Sequence, residues 1–123
     1  MAKTVLIIDD AIHIRRLVAR VLQQSGFDTL EAADGRQGVS LLKEQKPDIV
    51  TCDISMPYMD GYQFLEIAKR DPETQNIPVI VVTAVGQEAE IVKATEMGAD
   101  AFLTKPFSST HLLETIRSQL REE

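Results

Sequence analysis

The chain has 123 residues, of which 44% are hydrophobic and 26% charged, the balance of one ordinary globular domain rather than a disordered chain. We therefore expect residues 1–123 to form a single domain. Lys and Arg number 13 against 19 Asp and Glu, and the net charge of −6 argues against direct nucleic-acid binding. Near the start, the longest apolar run is residues 5–8, far short of the roughly 20 residues of a membrane span. The single Cys52 excludes an intramolecular disulfide, which predicts a reducing, cytoplasmic location.

Five short runs rich in Val, Ile, Leu and Thr recur along the chain. They predict strands at residues 4–9, 27–32, 49–53, 78–83 and 101–104. Most of these runs are almost continuously apolar, which is typical of strands that are buried on both faces of a parallel sheet.

Helical patterns separate the strands. A first helix from residue 14 has apolar residues at the spacing i, i+3, i+4, i+7, i+8, which predicts one buried face, and Gly26 lies where a C-terminal cap belongs. The residues of that face are Ile14, Leu17, Val18, Val21 and Leu22. Further helices are predicted at residues 35–45 after an Asp34 cap, and at 62–69, 87–97 and 109–121.

Strands and helices thus alternate five times, which predicts an α/β protein with a (βα)5 flavodoxin-like fold. Right-handed crossovers and short loops favour a three-layer sandwich around a five-stranded parallel sheet of order 2-1-3-4-5. In such sheets, ligand chemistry lies beyond the carboxyl ends of the strands. The residues at those ends are therefore the candidate functional residues.

Asp9 and Asp10, Asp53, Thr83 and Lys105 each end a predicted strand or directly follow it. Folding would gather three carboxylates, a hydroxyl and an ammonium in one pocket with two net negative charges. Carboxylate oxygens are hard ligands that suit Mg²⁺ or Mn²⁺ rather than zinc, and one divalent cation would neutralise the pocket. Any one of these acids could be a cap or turn residue, but together they indicate a site for phosphoryl transfer.

Other chemically active side chains have structural interpretations. Cys52 is predicted to be a small buried hydrophobe. His13, although near Asp10, is predicted to be a solvated residue of a first helical turn, and His111 a surface residue. Arg15 and Arg16 are predicted to lie on a solvated helix face.

Four segments resemble the receiver domain of two-component response regulators, of the type that stands alone in chemotaxis. They are VLIIDD (5–10), DIVTCDISMPYMDG (48–61), VIVVTA (79–84) and GADAFLTKPF (98–107). The resemblance extends from about residue 3 to residue 120. Because four motifs occur in the right order and spacing, the resemblance is specific.

The resemblance implies roles for the strand-end residues. Asp53 would accept a phosphoryl group from a partner histidine kinase, a phosphotransfer protein or a small phosphodonor. Asp10, Asp53 and the backbone carbonyl of Ser55 would hold Mg²⁺, and Asp9 would bind it through water. Lys105 would pair with Asp53 and then with the phosphoryl oxygens. Such a domain catalyses only its own phosphorylation and dephosphorylation, so turnover of an external substrate is not expected.

The resemblance also implies a switch. Thr83 would turn toward the phosphoryl group, and Phe102 would turn inward into the vacated space. The Lys105–Pro106 bond would be cis, and Met56–Pro57 with Asp60–Gly61 would shape the turn after the nucleophile. The face that changes would comprise helix four, strand five and helix five.

Residues 87–123 contain seven acids and four bases, which favours a face that docks a downstream effector protein or a second copy of the chain rather than DNA. No effector domain follows Leu120, so the output would pass through a partner. Alternatively, the chain is the receiver cut from a longer regulator. The sequence leaves both possibilities open.

Two other classes share features with this pattern. A phosphatase of the haloacid dehalogenase kind needs a second acid two residues after its nucleophile, where this chain has Ser55. A flavodoxin-like electron carrier needs a first loop that cradles phosphate, where Asp9 and Asp10 would repel it. Neither class fits the residues as well as a receiver domain.

By the same resemblance, the residues two beyond the nucleophile and two beyond the threonine line the approach of the hydrolytic water. Here they are Ser55 and Val85, and neither supplies a carboxylate or carboxamide that would orient that water. We therefore expect a fairly long-lived phosphorylated form when the protein is alone.

Overall fold

A parallel sheet with helices on both faces organises the chain in the computed structural model, which describes residues 2–56 and 59–121. Within these residues, no helix is long and apolar enough to cross a membrane. The elements in chain order are β1 (Thr4–Ile8), α1 (Ile12–Gln24), β2 (Asp28–Ala32), α2 (Gly35–Gln45), β3 (Ile49–Asp53), α3 (Gly61–Arg70), β4 (Val79–Ala84), α4 (Glu88–Glu96), β5 (Ala101–Lys105) and α5 (Ser109–Leu120).

The strands lie in the order β2-β1-β3-β4-β5, and every neighbouring pair is parallel. This confirms the predicted fold and strand order. The predicted element boundaries are correct to within two residues throughout. At the centre of the sheet, Ile8 pairs with Cys52 and Asp53 with Val82, so the strands end at one common edge.

Alternate residues of each central strand enter two separate cores. Leu6 and Ile8 of β1 pack in a cluster with residues of α2, α3 and α4, whereas Val5 and Ile7 pack with α1 and α5. This alternation follows from the period of two along a strand. It produces the predicted three layers, with α2, α3 and α4 on one face of the sheet and α1 and α5 on the other.

The predicted face of α1 is partly wrong. Ile14 and Leu17 are 39% and 60% exposed, and the buried stripe of the helix instead includes Arg15, Val18 and Leu22. The prediction that Arg15 is solvated is also wrong. Its side chain is buried and hydrogen-bonds to the Asp9 carbonyl oxygen and to Glu31 Oε1.

Candidate functional site

The carboxyl ends of β1, β3, β4 and β5 bring the predicted site residues together. Asp53 is the last residue of β3, Lys105 the last of β5, and Thr83 lies one residue before the end of β4. Asp9 directly follows β1, and its backbone N–H donates to the Ala32 carbonyl at 3.1 Å. Because the strands are parallel and in register, all these side chains meet at one edge of the sheet.

The Asp53 carboxylate is the centre of this arrangement. It is 8% exposed, and its Oδ2 accepts a hydrogen bond from Lys105 Nζ at 2.9 Å. The same ammonium lies 3.3 Å from Asp9 Oδ2. One carboxylate oxygen from each of Asp9, Asp10 and Asp53 lies within 4.8 Å of the others. The predicted three-acid cluster with one lysine is therefore present in the structure.

The pKa of Asp53 reflects the competing influences of burial and Lys105. Burial raises the pKa of the carboxyl above its ordinary value of 3.8, and the hydrogen bond and charge of Lys105 only partly oppose this. Asp9 raises it further, while the Ser55 N–H, which donates to Asp53 Oδ1 at 3.3 Å, lowers it. The ionised carboxylate is therefore destabilised relative to water, so a further cation at this position is favourable.

The pKa of Lys105 shifts in the direction that keeps it charged. Burial alone lowers it, but the hydrogen bond and charge of Asp53, together with Asp9, outweigh burial and raise the pKa above its usual 10.5. An ammonium held beside Asp53 can neutralise a negative group placed on that carboxylate.

The turn after Asp53 depends on close backbone packing. A Cβ atom on Gly61 would lie 2.6 Å from the Asp53 carbonyl oxygen and from the Ile54 Cα, so only glycine fits there without a shift. Asp60 caps α3 by accepting from the Gln63 N–H at 2.9 Å. The predicted role of Asp60–Gly61 in the turn is consistent with these contacts, whereas Pro57 lies outside the described residues.

The sequence did not predict the role of Arg15, which hydrogen-bonds to the Asp9 backbone. Its Nη1 donates to the Asp9 carbonyl oxygen at 2.9 Å, and its Nε donates to Glu31 Oε1 at 2.9 Å. Arg15, Val18, Ala19 and Leu22 follow the i, i+3, i+4, i+7 spacing of a helix face. The sequence contains this spacing, but its first position is a charged residue, so the pattern does not look like a buried helix face.

Sequence reasoning also missed Glu90, in the first turn of α4. The Thr83 hydroxyl, on a residue only 3% exposed, donates a hydrogen bond to Glu90 Oε1. Nothing in the local sequence pattern links these two residues, because the contact depends on how α4 packs over the end of β4. Phe102 is 48% exposed, and it therefore points outward in this structure.

Comparisons with known proteins agree with this geometry. The family model for the response regulator receiver domain matches residues 5–117. This chain belongs to the response regulator receiver domain family. Receiver domains are the signalling switches of two-component systems, are phosphorylated on an aspartate, and work with histidine kinases and effectors.

Individual relatives include both chemotaxis and transcriptional proteins. The chain is 42% identical over 118 residues to the chemotaxis protein CheY of Thermotoga maritima, an alignment that covers 94% of this chain and 96% of CheY. It is 40% identical over 121 residues to the phosphate regulon transcriptional regulatory protein PhoB of Escherichia coli, covering 98% of this chain and 53% of PhoB. The receiver thus spans about half the length of the PhoB proteins it matches.

Solved structures of receivers superimpose closely. Chemotaxis protein CheY4 of Vibrio cholerae gives a TM-score of 0.92 at 29% identity, covering 98% of this chain and 100% of that chain. The receiver domain of NtrX from Brucella abortus gives 0.90 at 28% identity, covering 97% and 99%.

Further predictions for this receiver are confirmed by the structure. The Lys105–Pro106 bond is cis, as the resemblance implied. His13 and His111 are exposed, as predicted. Cys52 is fully buried, and burial raises the pKa of its thiol far above the ordinary value, consistent with a packing role. Of the predicted acidic docking face, Glu122 and Glu123 lie outside the described residues.

The acidic cluster of the receiver fits a hard divalent cation. Asp9 and Asp53 are buried, Asp10 is exposed, and all three offer carboxylate oxygens to the same small volume. Lys105 neutralises only one of the three negative charges. Oxygen donors with excess negative charge are the ligands that Mg²⁺ prefers.

Proposed function

We propose that Asp53 is the phosphoryl acceptor of this receiver, supplied by a sensor histidine kinase or a phosphotransfer protein in the cytoplasm. In the transfer, the P–N bond of a partner phosphohistidine breaks while a P–O bond to an Asp53 oxygen forms, and the imidazole takes up a proton. The observation that carries the proposal is the buried Asp53 carboxylate at the end of β3 with Lys105 Nζ at 2.9 Å. The chain contributes positioning and charge neutralisation, which are the main requirements of phosphoryl transfer.

We further propose that Asp9, Asp10, Asp53 and the Ser55 backbone carbonyl hold Mg²⁺, or Mn²⁺, with Asp9 acting through water. When bound, the cation neutralises charge on the transferring phosphoryl oxygens. The acids supply the hard oxygen ligands. Within the described residues, the Lys105 ammonium bonds only to the Asp9 and Asp53 carboxylates, so it can exchange them for the phosphoryl oxygens.

The output of the switch is proposed to leave through α4, β5 and α5. Thr83 would turn toward the phosphoryl group and Phe102 would turn inward, which changes the face that a downstream effector protein or a second copy would bind. Two exposed apolar residues support a protein partner on this face, since Val92 and Phe102 are 56% and 48% exposed. Residues 1–123 would act as one receiver domain.

Turnover of an external phosphoester is not part of the proposal. The position two residues after Asp53 is Ser55, whose backbone N–H donates to Asp53, and its hydroxyl is a poor general acid or base at neutral pH. The phosphoryl group on Asp53 therefore has no dedicated side chain at that position to protonate a leaving alcohol.

Intact mass spectrometry tests the acceptor directly. Incubation with acetyl phosphate and Mg²⁺ should add one phosphoryl group, and peptide mapping should place it on Asp53. Asp53→Asn should remove the gain, while Asp28→Asn, a change at an exposed aspartate at the start of β2, should leave it intact. A full mass gain in Asp53→Asn, or a modification mapped to another residue, would refute the assignment.

A further inference from the structure

The Thr83 hydroxyl, the proposed partner of the phosphoryl group, is already engaged in this structure. It donates to the Glu90 carboxylate of α4, and the Thr83 side chain is almost completely buried. A hydroxyl carries one proton and donates one hydrogen bond at a time. Thr83 can therefore bond to a phosphoryl oxygen on Asp53 only after it leaves Glu90.

Glu90 also faces the phosphorylation site. It lines one depression of about 290 Å³ together with Asp53, Ser55, Thr83 and Lys105. A carboxylate in this position adds negative charge to a region that already contains the acidic cluster. The acyl phosphate formed on Asp53 would carry about two negative charges in place of the single charge of the carboxylate, and it would extend them into the same depression. Like charges at short range repel.

Among the described residues, Glu90 makes the tertiary hydrogen bonds of the first turn of α4. The only buried residue in this helix is Ala94, and its N-cap residue Gln87 makes no side-chain capping bond. The Glu90 backbone carbonyl accepts from the Tyr62 hydroxyl of α3 at 3.4 Å. Lys93 lies 4.2 Å from the centre of the Tyr62 ring. Glu90 therefore joins α4 to β4 through its side chain and to α3 through its backbone.

We propose that Glu90 is a positioning residue that holds Thr83 and the first turn of α4 in the unphosphorylated arrangement. A phosphoryl group on Asp53 competes with Glu90 for the single Thr83 proton and repels the Glu90 carboxylate. Exchange of this one hydrogen bond frees the first turn of α4, because the remaining contacts of that turn are few. This inference rests on the proposed function and adds the residue through which phosphorylation reaches the docking face.

Affinity for beryllium fluoride, a phosphoryl mimic, measures this competition by calorimetry in Mg²⁺. Glu90→Ala should raise the affinity about tenfold, since it removes both the competing acceptor and the charge. Glu90→Gln keeps an acceptor oxygen but not the charge, so its increase should be smaller. Glu88→Ala removes an acid from the same helical turn and is the matched control, with an expected change below about twofold.

A second background separates a specific bond from a general charge effect. In Thr83→Val, which has no hydroxyl to release, Glu90→Ala should raise the affinity by clearly less than it does in the presence of Thr83. An equal increase in both backgrounds would overturn the inference, because it would assign the effect to charge alone. Wild-type affinity in both Glu90 variants would also overturn it.

Hydrogen exchange without any phosphodonor tests the same bond independently of phosphorylation. Glu90→Ala should accelerate amide exchange in residues 90–94, whereas Glu88→Ala should not. Unchanged exchange in Glu90→Ala would contradict the proposed role of Glu90. If wild-type protein is not modified at Asp53 but this exchange result appears, the proposed function fails while the restraint on α4 stands.

Discussion

The two sides of the acidic site are built differently. On the β1 side, every polar group of Asp9 has a fixed neighbour: its N–H bonds to β2, its carbonyl accepts from Arg15, and its Oδ1 accepts from the Ala11 N–H at 2.9 Å. On the β4 side, Val85 is 67% exposed and the first turn of α4 is attached by Glu90 and few other contacts.

This difference matches two separate requirements of a switch. Residues that hold charge at a fixed place are preorganised, since the cost of ordering them is met during folding. An element that must move needs a small free-energy gap between two arrangements, and a helix with one buried residue provides it. The β1 side thus holds Asp9 in place, and the β4 side is free to respond to a change of charge on Asp53.

Arg15→Ala should have the largest effect on the β1 side of the site. It removes a buried side chain that satisfies both the Asp9 carbonyl and Glu31, so the free energy of unfolding should fall by about 2 kcal/mol. Urea unfolding followed by circular dichroism measures the change. Arg16→Ala is the matched control, because that side chain is 70% exposed, and it should cost less than about 0.5 kcal/mol. Equal losses in the two variants would contradict a supporting role for Arg15.

Val85→Glu combined with Ser55→Asn should shorten the life of the phosphorylated form. Ser55 and Val85 are both exposed, and the introduced carboxylate and carboxamide would be able to orient a hydrolytic water. Loss of phosphate, followed after removal of the donor at constant Mg²⁺, should accelerate by about tenfold. Decay at the wild-type rate would mean that these two positions do not set the lifetime.

Removal of Mg²⁺ should lower the free energy of unfolding. The cation relieves repulsion among the three acids, and at about five times its dissociation constant it should add about 1 kcal/mol to the free energy of unfolding. Melting curves at rising Mg²⁺ measure this effect. Asp10→Ala should reduce the shift, since Asp10 is a proposed ligand whose exposure makes the substitution tolerable. An equal shift in Asp10→Ala, or none in the wild type, would exclude the proposed site.

The smallest expected effect is on the pH dependence of the metal-free protein. Because the pKa of Asp53 is raised above 3.8 in the folded state, the unfolded chain loses this proton first as pH rises. Stability of the wild type relative to Asp53→Asn should therefore fall as pH rises from 3.8 through the raised pKa, and then level off. Urea unfolding in a chelator from pH 4 to 7 measures this difference. A relative gain in stability over that window would contradict the direction of the shift.

The sequence by itself determined the strands, their order and the acidic site. Most of the strands were marked by almost continuous apolar runs. The first, third, fourth and fifth of them ended on or next to a polar residue, and the common sheet edge brings these residues together. Asp9, Asp10, Asp53 and Lys105 could therefore be predicted as one cluster, because parallel strands in register convert similar positions in separate segments into one location.

Only the tertiary structure decided which stripe of α1 is buried and what holds Thr83. The apolar spacing of Ile14 and Leu17 predicted an inward face, but Arg15 takes that position because the ends of β1 and β2 offer it acceptors. The bond from Thr83 to Glu90 depends on the placement of α4 over β4. Local periodicity describes what each helix could bury, whereas neighbouring elements supply the hydrogen-bond partners that decide which residues turn inward.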